Sequence, residues 1–62
     1  MKGRIICFDY RERWVVGEII NDNLSTIDLK LHNDYKGKNV FWECGEIKMF
    51  EKSIIKNITV LK

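Results

Sequence analysis

The stretch Arg13-Trp14-Val15-Val16-Gly17-Glu18-Ile19-Ile20 limits what this chain can fold into more than any other. In an extended chain Val15, Gly17 and Ile19 point to one side, and Trp14, Val16, Glu18 and Ile20 to the other. A glycine in mid-strand gives up packing, so its place there implies that another backbone or a large side chain comes close. The segment reads as the central strand of a small barrel, with Gly17 at a crowded corner and Trp14 at the mouth.

The flanking segments supply short strands. Residues 4–10 are rich in β-formers and predict a first strand. A tight charged loop from Asp9 to Glu12 follows, carrying Tyr10 and Arg11. Asn21-Asp22-Asn23 offers turn chemistry after the second strand, because Asn and Asp tolerate left-handed backbone and bond to it locally. Residues 26–32 alternate cleanly, with Ile27, Leu29 and Leu31 toward a core and Asp28, Lys30 and His32 toward water. Asn33 to Gly37 predicts a loop, with Gly37 in the left-handed position. Asn39 to Cys44 predicts a fourth strand with Phe41 and Trp42 on opposite faces, so one of these rings lies outside the core or under a loop. After a turn at Gly45-Glu46, Ile47 to Phe50 reads as a short strand and residues 51–55 as a single 3₁₀ turn. Lys56 to Leu61, with Ile58 and Val60 on one side, is expected to close the sheet. Short strands joined by tight turns imply a closed or nearly closed barrel, which removes exposed sheet edges.

Sixty-two residues make one domain, 1–62, with a stability on the order of 3–9 kcal/mol. No apolar run approaches the roughly 18 residues of a spanning helix, and the start lacks the pattern of a secretory signal. A cytoplasmic protein with no membrane partner is expected. Cys7 and Cys44 then read as small part-buried residues in a reducing compartment. His32 is the single histidine and no ligand set surrounds it, so neither metal nor cofactor is expected. The net charge of +2, from 11 basic and 9 acidic residues, is too balanced to predict nucleic-acid binding by itself.

In order, the chain offers a strand after Gly3, a charged loop, then Trp14, Gly17 and Ile19 in one strand, an alternating strand and a hairpin. Gly45, Ile47, Phe50, Ile54 and Ile58 follow, with a short turn before the last strand. This pattern resembles the SH3-like barrels, among them SH3 and Tudor domains. The resemblance implies an all-β, five-stranded barrel with one short 3₁₀ turn before the last strand. A second resemblance, to cold-shock-like OB barrels, lies in Met1-Lys2-Gly3-Arg4-Ile5, Phe8-Asp9, Asp28 to His32, and Asn57-Ile58-Thr59. The segment matching that family's ring platforms, Glu12 to Val16, keeps an aromatic only at Trp14, so an OB fold is the alternative.

No nucleophile–base set and no acid–base pair is suggested, which argues against an enzyme. Ile47-Lys48-Met49-Phe50 also lacks the glutamine and tyrosine of the active segment in the plasmid-borne dihydrofolate reductase of the same barrel group. The expectation is a binding module, a small regulator or inhibitor acting through a protein partner, and the Ile-, Lys- and Asn-rich vocabulary suits a phage or mobile-element origin. Tyr10, Arg11, Arg13, Trp14, Tyr35 and Trp42 are the candidate protein-binding residues. Aromatic and Arg side chains are typical hot-spot types, and the SH3-like resemblance places Tyr10, Trp14 and Tyr35 as groove walls. A homo-oligomer would also cover apolar surface left by Ile6 or Ile20 on the outer face. The alternative is single-stranded RNA or DNA bound by Lys30, His32, Lys36 and Lys38, with Tyr35 and Trp42 as stacking rings.

Overall fold

The structure, a computed structural model, describes residues 2–62; Met1, part of the OB-like signature, lies outside them. Seven strands follow in order: β1 (Ile5–Tyr10), β2 (Arg13–Asp22), β3 (Thr26–Leu31), β4 (Tyr35–Lys36), β5 (Phe41–Trp42), β6 (Ile47–Glu51) and β7 (Lys56–Val60). A 3₁₀ turn, Lys52–Ile54, precedes β7. Five strands form one antiparallel sheet in the order β6-β3-β2-β1-β7, and β4 and β5 form a separate two-stranded hairpin. The fold is all-β.

β2 is the hub. It pairs with β1 from Arg13 to Glu18 and with β3 from Gly17 to Asp22, so Gly17 is held on both sides. A Cβ on Gly17 would lie 2.6 Å from the Lys30 carbonyl oxygen and 2.8 Å from Leu29 side-chain carbons. The crowded corner expected at this residue is present, and its cause is the close crossing of β3. The inner face collects Ile6 and Phe8 of β1, Val15 and Ile19 of β2, Ile27, Leu29 and Leu31 of β3, and Phe50 of β6. Tyr35 and Ile55 complete this core. Burying each such side chain contributes about 1.5–3 kcal/mol relative to leaving it exposed.

The structure corrects several expectations. β2 runs on through Asn21 and Asp22, with a register shift against β3, and the turn falls later, around Leu24 and Ser25. Asn21 pairs with Asp28 in the ladder, and its side-chain amide donates to the Asp28 carboxylate. The fourth strand shrinks to Phe41–Trp42, while part of the expected loop, Tyr35–Lys36, pairs with it. Gly37 does not adopt positive φ; a Cβ there would press on the Tyr35 ring at 3.0 Å, so space is its constraint. Ile6 faces the core rather than the outside.

The sheet also stays open. Among the described residues β6 pairs only with β3 and β7 only with β1. Val60, opposite buried Ile6, and Ile58, two residues before it, remain 41% and 49% exposed on the side meant for the core. The register of β7 shifts between Cys7 and Asp9, where Asn57 sits at φ 55. Such a bulge bends a strand and interrupts its ladder, which blunts the edge without closure. On the other edge Lys48, opposite buried Leu29, turns a charge inward, a second known guard against edge pairing.

Candidate functional site

The β1–β2 connection is the shortest kind of hairpin. Tyr10 pairs with Arg13, leaving only Arg11 and Glu12 in the turn. Both are left-handed, at φ 50 and φ 67. Positive φ at both central residues is the requirement of a type I′ turn, which favours Asn-Gly. A side chain such as Arg or Glu in that region costs about 1–2 kcal/mol per residue. Stored backbone strain of this kind concentrates at binding and active sites.

The long connection from β3 to β6 is fastened beside this turn. Where β3 stops covering β2, the Asn33 side chain takes the place of a strand. The Val16 N–H donates to Asn33 Oδ1 at 3.0 Å and Asn33 Nδ2 donates to the Trp14 carbonyl at 3.4 Å. The His32 N–H donates to the Val16 carbonyl at 2.8 Å. The far end is tied by Gly45 N–H to the Leu31 carbonyl (2.7 Å) and Cys44 N–H to Asp34 Oδ1 (2.8 Å). The Glu46 carboxylate accepts the Glu43 N–H and pairs with Lys48 at 3.4 Å; the hydrogen bond, more than the ammonium, holds its pKa below the ordinary 4.5.

Between turn and hairpin lies a cluster of rings. Tyr35 is buried, its hydroxyl donating to the Tyr10 carbonyl at 3.3 Å just before the strained turn. Its ring stacks on Trp42 with centroids 4.6 Å apart. Tyr10 meets Tyr35 and Phe50 edge-on at 5.8 and 5.2 Å. Such pairs contribute about 0.5–1.5 kcal/mol each beyond their buried area.

This cluster floors a groove of about 530 Å³, and Tyr10, Arg11, Arg13, Tyr35 and Trp42 all line it. Five of the six expected protein-binding residues thus converge. Lys38 and Glu12 share its walls. The Arg11 guanidinium lies 5.4 Å over the Tyr10 ring, and the Lys48 ammonium 5.4 Å over Trp42. Trp14 is the exception. It stands opposite Asp9 on the outer face, 56% exposed, and is neither a mouth residue nor a groove wall. Of the two strand-four rings, Trp42 packs on the core and Phe41 is the exposed one.

The basic set does not gather in the same way. Lys30 projects from the outer face of β3, opposite Glu18 and Ile47. His32 and Lys36 are exposed and outside the groove; only Lys38 reaches it. Tyr35, one of the two expected stacking rings, is 3% exposed and used up inside the cluster. Sequence reasoning missed Asn33, Glu12, Lys48 and Phe50 as parts of the site. For Phe50 and Lys48 the signal was the alternation of β6, which sets both on the inner face.

Cys7 and Cys44 are both free thiols. Among the described residues no three His, Cys, Asp or Glu side chains gather as a metal site, and no helix is long and apolar enough to cross a membrane. Compared with known proteins, the chain matches no family model, and neither a curated protein nor a solved structure matches it significantly. Chemically, the arrangement sets N–H donors and positive charge beside a cluster of aromatic rings.

Proposed function

We propose that this chain is a non-enzymatic binding module of the SH3-like kind, a small cytoplasmic regulator or inhibitor that acts by contacting a protein partner. The order β6-β3-β2-β1-β7, with a 3₁₀ turn before the last strand, supports the SH3-like reading. One observation carries the function: the groove that brings Tyr10, Arg11, Arg13, Tyr35 and Trp42 together. Aromatic side chains beside arginines are the residue types that dominate protein interfaces. The nucleic-acid alternative is weaker because Lys30, His32 and Lys36 stay outside that groove.

The test is capture of partners from the source cell's lysate on the tagged protein, with and without nuclease. A stoichiometric protein band is expected to survive nuclease, to be lost with Arg13→Ala and to persist with Trp14→Ala, which lies outside the groove. Recovery of RNA or DNA, with protein bands that vanish on nuclease treatment, would replace this reading with the nucleic-acid one.

A further inference from the structure

The groove's own chemistry narrows the kind of partner, in an inference that rests on the protein-binding reading and deepens it. We propose that the groove takes an acidic protein segment, its carboxylates bound by Arg11, Arg13 and Lys38 beside the β1–β2 turn.

Charge is the first ground. The ion pairs formed among the described residues are Lys48–Glu46 and Lys52–Asp22. None engages Arg11, Arg13 or Lys38, so three cations line one groove with a single carboxylate, Glu12, among them. Arginine presents a planar fork of N–H donors that matches a carboxylate in two parallel bonds.

The second ground is what the rings leave free. A single-stranded nucleic acid would need aromatic faces for its bases. Here Trp42 carries Tyr35 stacked on it and the Lys48 ammonium over it, and Tyr10 carries the Arg11 guanidinium. Tyr35 is buried. The Tyr10 ring therefore holds the Arg11 guanidinium, and recognition falls to the cations of the groove.

The third ground is the turn. Arg11 occupies a left-handed position at φ 50 that Asn would fill with less strain. A guanidinium is kept there at the expense of local stability, in line with a role outside the fold. Glu12, also left-handed, opposes an acidic ligand and is expected to weaken its binding.

The experiment titrates the intact protein, followed by amide and indole NMR shifts, with three probes. These are a short capped peptide alternating Glu and Ser, its Gln-for-Glu counterpart, and an oligothymidylate. The Glu peptide is expected to move the resonances of Arg11, Arg13, Lys38 and Trp42, with an affinity that falls as salt rises, and the Gln peptide to leave them in place. Arg11→Asn should weaken the Glu peptide at least about tenfold while raising the melting temperature by about 5 °C. Glu12→Gly should raise it similarly and bind no more weakly than the parent. Those melts separate lost binding from lost folding.

Equal binding of the Gln peptide would overturn the acidic class and leave the protein-binding reading standing. No groove shift at millimolar Glu peptide, or an Arg11→Asn affinity equal to the parent's, would do the same. An oligothymidylate that binds the groove more tightly than the Glu peptide would overturn both.

Discussion

Gly17 and the Arg11-Glu12 turn are opposite cases in one hairpin. At Gly17 the backbone is ordinary strand and a glycine is present because space is absent: the Lys30 carbonyl and the Leu29 side chain occupy the volume of a Cβ. At the turn the side chains are exposed and the backbone asks for Asn or Gly, yet the sequence places Arg and Glu at positive φ. The first site is shaped by packing alone. The second departs from what folding alone would choose, and it does so at the edge of the ring-floored groove. The comparison teaches where to look for function: at residues the fold does not need.

The largest expected effect breaks the packing side of the comparison. Gly17→Val must push β3 away from β2 and is expected to cost about 3 kcal/mol, a large share of the total for a chain of this size. The urea midpoint measures it; a loss below about 1 kcal/mol would mean that the crossing gives way easily. Next comes Asn33→Ala, which leaves the Val16 N–H and the Trp14 carbonyl without their side-chain partner and is expected to cost about 1–2 kcal/mol. Amide exchange at Val16 should quicken with it. Tyr35→Phe keeps the stacked ring but removes the bond to the Tyr10 carbonyl, for a cost of about 1 kcal/mol read in the same unfolding assay.

The smallest effect is pH dependence. The Lys52 hydrogen bond holds Asp22 below its ordinary 3.8, and the Glu43 N–H holds Glu46 below 4.5. Each carboxyl binds its proton more weakly folded than unfolded, so its contribution is complete above the ordinary value and is lost as pH falls through the lowered one. Stability should therefore be flat through neutral pH as far as these groups act, and decline below the ordinary values of 4.5 and 3.8. Both are exposed, so the decline is shallow, and Asp22→Asn should flatten part of it.

The pattern of residues carried much of this fold. The alternation of Ile27, Leu29 and Leu31 placed β3 and its inner face, since a period of two leaves no other arrangement. Gly17 announced a close approach, and the spacing after Phe50 announced the 3₁₀ turn. Closure was not legible. β7 bulges at Asn57, a residue type that tolerates φ 55, but an asparagine inside a strand pattern does not by itself announce a bulge, and nothing local in the sequence says whether the two edge strands meet. Alternation with Val15 already set Trp14 on the face away from the core; its place as a groove wall came from the SH3-like resemblance, and the structure leaves it opposite Asp9 on that outer face. Asn33 reads as a loop residue in sequence, and its role as a surrogate strand for β2 arises only once β3 has ended at Leu31. For the groove, the SH3-like resemblance already set Tyr10 and Tyr35 together as walls; what the sequence did not show is the tie between the Tyr35 hydroxyl and the Tyr10 carbonyl, or that Trp14 stays outside.

The central claim is that the turn holds Arg11 and Glu12 against the preference of its own backbone. The urea midpoint of the Arg11→Asn/Glu12→Gly double variant tests it most directly. A gain in stability of about 1–2 kcal/mol over the parent is the predicted result. An unchanged or lower midpoint would show that the two side chains serve the fold itself, and would contradict the account.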